Sequence, residues 1–177
     1  MTDHQPLKRR QRAGAGSISE KVGKQPIGKV EHIGIAVKSI AEARKFYEGV
    51  LGATFMYDYE RPEAGFRFAE FDLGGFVIEL LEPLREDSFI HKFITEHGEG
   101  FHHLTLDVPD SKARVAELKA AGVRVVQDKE HSPTSYEAFI SPRSTHGVLI
   151  QVGSGFPTLS LDPEWEKVVP GLRLNRK

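Results

Sequence analysis

Between residues 30 and 37 (VEHIGIAV), His32, Gly34 and Ala36 alternate with Ile33, Ile35 and Val37, which is the two-residue period of a strand. The period then lengthens to that of a helix, with Ile40, Ala43, Phe46, Tyr47, Val50 and Leu51 forming one apolar stripe. Ser39-Ile40-Ala41-Glu42 is a capping box that opens this helix, and Gly52 closes it as a C′ residue. Strand character returns over residues 54–59. After a turn at Pro62 and Gly65, residues 66–73 and 76–81 read as a hairpin joined by Gly74-Gly75, with Pro83 ending it.

Beyond a short helical linker at about residues 87–97, the same pattern restarts. Residues 103–108 (HLTLDV) form a strand. Asp110 caps a helix carrying Val115, Leu118 and Ala121, and Gly122 ends it. Strands near residues 123–127, 137–141 and 148–152 complete the set. The halves superimpose along the chain: His32 and His103 are 71 positions apart, Gly52 and Gly122 are 70, and Glu79 and Gln151 are 72. A long repeat present only twice predicts a pseudo-two-fold domain rather than a repeat array. The expected fold is therefore α+β, with two βαβββ modules at about residues 28–83 and 101–152 inside one domain spanning 28–152. Residues 1–27 lack an apolar period and read as a mobile N-terminal tail. Residues 153–177 read as a Pro-punctuated C-terminal tail carrying Trp165, which could pack on this or another subunit.

Composition narrows the chemistry. The chain has 177 residues, 39% hydrophobic and 28% charged, an ordinary globular balance. Its 24 Lys and Arg nearly cancel its 25 Asp and Glu, so no global field recruits nucleic acid or a membrane surface. Without cysteine there is no disulfide, thiolate nucleophile or Cys-ligated zinc, and any metal must be held by His, carboxylate or amide groups. No apolar run approaches the roughly 18 residues of a membrane span. The basic cluster Lys8, Arg9, Arg10 and Arg12 is similar to a transit peptide, but Asp3 and Glu20 argue against one, and a cytoplasmic setting is the expectation.

The candidate chemistry lies in polar residues inside apolar strands. His32 and His103 open the first strand of each half, and Glu79 and Gln151 sit centrally in the last. An unpaired carboxylate buried in such a strand is costly by several kcal/mol. One divalent cation would serve all four groups, and imidazole with carboxylate and amide oxygens suits Zn, Fe, Co, Ni or Mn. Positional equivalence in an internal repeat is what separates these residues from ordinary strand-end histidines.

HIGIAV, FYEGVLGA, ELLEPL, GEGFHHLTLDV and SPRSTHGVLIQV together resemble the vicinal oxygen chelate superfamily, with its glyoxalase-like fold, across residues 28–152. Within it the chain most resembles methylmalonyl-CoA epimerases. That resemblance implies a cupped sheet around a divalent metal held by His32, Glu79, His103 and Gln151. His103 rather than His102 is the implied ligand, because it aligns with His32, and His102 is expected on the opposite side of its strand in a structural role. In those epimerases the carboxylate usually occupies the Gln151 position and the amide, or a variable residue, the Glu79 position. Here the two are exchanged, which leaves the ligand set intact and puts substrate identity and stereochemistry in question. The Gly74-Gly75 turn sets a register that places Glu70 opposite Glu79 on the same face, where the epimerase base has a similar cross-strand relation to its ligand. Arg143 and Ser144, in the SPRSTHG loop, are the candidates for binding a carboxylate or thioester. His146, His91, His97 and His131 have no repeat partner and are expected on the surface.

The activity this implies is removal of the proton α to a thioester carbonyl by a metal-dependent isomerase, an epimerase of the methylmalonyl-CoA type. Its partners would be a small acyl-CoA thioester and a second copy of the chain as a homodimer, with no nucleic acid or membrane. Glu70 would act as base, made more basic near neutrality by anionic Glu79. Alternatives on the same fold are a lactoylglutathione lyase-type isomerase, an Fe(II) dioxygenase using His32, His103 and Glu79, and a protein that only binds small molecules.

Overall fold

In the first half of the chain β1 (Lys29–Ala36) leads through α1 (Ile40–Tyr47) to a meander of β2 (Thr54–Arg61), β3 (Phe66–Asp72) and β4 (Val77–Pro83). Helix α2 (Phe89–His97) then leads to a second set: β5 (Gly100–Asp107), α3 (Ser111–Ala120), β6 (Val125–Ser132), β7 (Ser135–Ile140) and β8 (Ile150–Ser154). A short 3-10 turn, Pro142–Ser144, lies between β7 and β8. This is a computed structural model, and it describes residue 22, residues 27–132 and 135–155, and residues 173–174. The N-terminal residues read as a tail lie almost wholly outside the described residues. Of the segment read as a C-terminal tail, residues 153 and 154 finish β8, and β9 (Arg173–Leu174) pairs antiparallel with β2.

The strands form one curled sheet in the order β6-β7-β8-β5-β1-β4-β3-β2-β9. Each module pairs its first strand parallel to its last, β1 with β4 and β5 with β8. The modules join through the antiparallel β1–β5 ladder, within a single chain. The pseudo-two-fold axis therefore passes between the two strands that carry the repeat-related histidines.

Local chemistry sets the element ends. Ser39 Oγ accepts from the Glu42 N–H at 3.3 Å, closing the N-terminus of α1. Gly74 and Gly75 have φ of +66° and +90°, the left-handed pair a two-residue hairpin requires, and Leu73 N–H donates to Phe76 O at 2.8 Å. Helix α1 is shorter than its apolar stripe: Glu48 caps it, and Phe46, Val50 and Leu51 are exposed. Strand β6 runs on to Ser132, well past the predicted 127, because this edge strand is polar beyond Val126 and shows no apolar alternation.

Alternation decides what faces the cup. Ala69, Phe71, Ile78 and Leu80 pack with Ile40, Ala43 and Tyr47 under α1, and Ala138, Ile140 and Val152 pack with Val115 and Leu118 under α3. Glu70, Glu79 and Gln151 occupy the intervening positions, so they point to the face opposite α1 and α3. A one-residue slip in either hairpin would exchange these sets.

Candidate metal centre

His32 and His103 meet across the β1–β5 seam. Their Nε2 atoms are 3.3 Å apart, and Glu79 Oε2 on β4 lies 3.6 Å from the first and 3.5 Å from the second. All three residues are buried, and these atoms form the described group able to hold a metal ion. Such separations are those of donor atoms sharing one ion at about 2.0–2.2 Å, and two imidazoles with a carboxylate suit a divalent transition metal. The donor set fits.

The ring of His103 has room only because its cross-strand partner is Gly34, where a Cβ would enter the space of the imidazole. Thr105, the repeat counterpart of Gly34, plays a different part. Its hydroxyl donates to Gln151 Oε1 at 2.8 Å and lies 2.8 Å from His32 Nε2. Gln151 is buried and donates through Nε2 to Glu137 Oε2 at 3.1 Å. The other oxygen of Glu137 is 2.8 Å from Nε2 of His131. Gln151 thus borders the three-atom group, held there by β7 and β5.

Glu70 stands directly opposite Glu79 on the β3–β4 ladder, as the turn register predicts. It is 2% exposed, bonded to Tyr57 on β2, and its Oε2 has no hydrogen-bond partner among the described residues. Burial, the opposing charge of His32 notwithstanding, and then the neighbouring Glu79 push its carboxyl up to about 8. Burial also raises Glu79. For His32, burial works downward, but the carboxylates of Glu79, Glu31 and Glu70 outweigh it and raise the imidazole to about 9. Burial holds His103 well below its ordinary range, with His32 adding to the effect.

Arg143 and Ser144 sit apart, on the exposed turn after β7. Ser144 Oγ accepts from Arg124 N–H at 3.0 Å, and Arg143 N–H is turned back to Ser141 Oγ at 3.4 Å. His102 is not turned away from the centre as alternation implied. It is buried against Phe89 and Phe93, with its Nδ1 2.9 Å from Nδ1 of His103. Among the other histidines, His97 stacks on Phe93 and His131 pairs with Glu137. Sequence reasoning missed Glu31, Tyr57, Thr105 and Glu137. Glu31 and Thr105 were findable, since each neighbours a repeat-related histidine or its counterpart in the pattern; Tyr57 and Glu137 come together with the site only through the sheet.

A curled sheet of paired βαβββ modules around a two-histidine, one-carboxylate group able to hold a metal ion defines the glyoxalase-like class. Residues 31–139 match the Glyoxalase/Bleomycin resistance protein/Dioxygenase superfamily, and the chain belongs to that family. It is 36% identical over 128 residues to the uncharacterized protein YqjC of Bacillus subtilis (strain 168), covering 71% of this chain and 91% of that protein. It is 30% identical over 144 residues to the mitochondrial methylmalonyl-CoA epimerase of Bos taurus, covering 78% and 82% of the two chains. A variant methylmalonyl-CoA epimerase of Streptomyces coelicolor, solved in complex with 2-nitronate-propionyl-CoA, superimposes with a TM-score of 0.65 at 31% identity, over 72% of this chain and 97% of that one. These relatives support an enzyme of the epimerase or isomerase kind. Among the described residues no helix is long and apolar enough to cross a membrane.

Proposed function

We propose that the chain is a metal-dependent epimerase that removes and returns the proton on the carbon α to the carbonyl of an acyl-CoA thioester, as methylmalonyl-CoA epimerases do. One observation supports this above the others: a second buried carboxylate, Glu70, faces the metal group directly and takes no part in it. His32, Glu79 and His103 would hold the ion, with Gln151 as the fourth ligand. When bound, the metal supplies Lewis acidity that stabilises the negative charge developing on the thioester oxygen. Glu70 takes the α-proton. Its unpartnered oxygen leaves one lone-pair site open, and a carboxyl raised to about 8 is matched to a base working near neutrality. Inversion needs a second proton carrier on the opposite face. Glu137 is the candidate, on the strand of the second module that corresponds to β3, next to Gln151. Arg143 and Ser144 are kept as the groups for the acyl-CoA, and reaching it would require their turn to rearrange.

The two-histidine, one-carboxylate set is also that of iron(II) oxygenases, but such chemistry gives Glu70 no task. The test is proton NMR in D2O with protein loaded separately with Co, Ni, Mn, Zn or Fe and offered α-branched acyl-CoA thioesters. Deuterium appearing at the α-carbon with loss of the starting configuration is expected. No exchange with any metal, or oxygen consumption with iron instead, would overturn the assignment.

A further inference from the structure

Glu31 and His102 occupy the same place in the two modules, 71 positions apart, each immediately before a histidine of the metal group. Both are buried, at 7% and 9% exposure. Neighbours in a regular strand point to opposite faces, so neither would ordinarily reach the ring beside it. The register shift between Val30 and Ile33 in the β1–β5 ladder breaks the alternation, and Glu31 Oε2 meets Nδ1 of His32. On β5, His102 Nδ1 lies 2.9 Å from His103 Nδ1, with the rings nearly perpendicular at 89°. Each supporting group is itself held. His102 packs against Phe89 and Phe93 of α2, with ring centroids 5.7 and 4.8 Å away. The second oxygen of Glu31 has no partner among the described residues, so its bond to His32 is the one that compensates its burial.

We propose that Glu31 and His102 are a pair of positioning residues, each accepting the Nδ1–H of the following histidine and thereby committing its Nε2 to the metal. They differ in charge. An imidazole backed by a carboxylate is a stronger donor than one backed by a neutral ring, so His32 binds the ion more firmly and His103 is the weaker ligand. The asymmetry follows the same module as Glu79: the first module supplies the charged ligand and the charged support, the second a neutral amide and a neutral support.

This inference rests on the metal centre of the proposed function, and zinc titration against a chromophoric chelator separates the two. Glu31→Leu and His102→Leu should each lose about 10- to 100-fold in zinc affinity, the loss typical of removing an outer partner of a ligand histidine. Glu31→Gln and His102→Gln, which keep an accepting oxygen, should recover part of it, and His102→Glu should bind zinc more tightly than the parent protein. In the zinc-loaded protein, nitrogen-15 NMR should find the Nδ1–H of His32 and His103 hydrogen-bonded in the parent and released in the Leu variants. Melting temperatures of the metal-free variants report folding separately. Leu variants that bind zinc as the parent does, with both ring signals unmoved, would overturn the positioning role and leave the centre standing. Parent protein that takes up no zinc would overturn both.

Discussion

Glu70 and Glu79 face each other across the β3–β4 hairpin, both buried, one touching two histidines and the other touching Tyr57. Two carboxylates this close in a dry site do not ionise equally. Burial raises both, with the charge of His32 opposing it; Glu79, beside the two imidazoles, suits a ligand, and Glu70, driven up to about 8, suits a proton carrier. Environment, not residue type, separates their tasks.

Glu70→Gln should therefore leave metal content unchanged while deuterium incorporation into an acyl-CoA thioester falls by roughly 10²- to 10⁴-fold, the usual share of a general base. Elemental analysis and NMR on the same preparation give both readings. Undiminished exchange would remove Glu70 as base.

Glu79→Gln removes the single carboxylate of the three-atom group and should weaken metal binding by one to two orders of magnitude, about the effect of losing one charged contact in a buried site. Adding Gln151→Glu restores the charge from the symmetry-related strand. Titration should show the double variant binding better than Glu79→Gln alone, with incomplete recovery because adjacent residues do not add. No recovery would mean that Gln151 does not reach the ion.

Gly34→Ala tests how His103 is seated. The added methyl falls within the space of that imidazole, and overpacking of this kind is destabilising by about 1–3 kcal/mol. A lower melting temperature together with metal affinity reduced at least tenfold is expected. Normal affinity would show that the ring can move without losing the ion.

Metal binding should release protons. Thr105 donates its hydroxyl proton to Gln151, so it accepts from Nε2 of His32, and that imidazole is raised from 6.5 to about 9. An incoming ion must displace the Nε2 proton. Calorimetry in buffers of different ionisation enthalpy should find about one proton released per ion near neutrality, with affinity rising as pH approaches 9 and levelling above it. The metal-free fold should behave in the opposite sense. A group whose folded pKa is raised stabilises fully below its unfolded value and loses that contribution as pH rises through the folded one. His32 acts between 6.5 and about 9, and Glu70 in the same direction between 4.5 and about 8. The melting temperature of metal-free protein should fall across that range, and Glu70→Gln should flatten the lower part of the slope.

Much of this centre was legible from order along the chain, because a repeat exposes equivalence without coordinates. His32 with His103 and Glu79 with Gln151 stand out as polar residues at matched positions, and a two-residue Gly-Gly turn is short enough to fix which residue opposes Glu79. Strand periodicity and helix caps located the elements for the same reason, since they depend on neighbours in sequence. Other features depended on contacts between residues far apart. The seam between β1 and β5 decides that the two histidines meet, and its register shift turns Glu31 toward His32 against the alternation that the pattern predicts. Packing against α2 seats His102 where it bonds His103. Tyr57 joins Glu70 only because β2 lies beside β3, and Glu137 reaches Gln151 only because β7 lies beside β8. Sequence by itself determined the period, the repeat and the residue types at the matched positions, which are local properties. The tertiary structure decided which buried groups share a dielectric and a hydrogen bond, and those long-range terms set the charge on each carboxylate and imidazole.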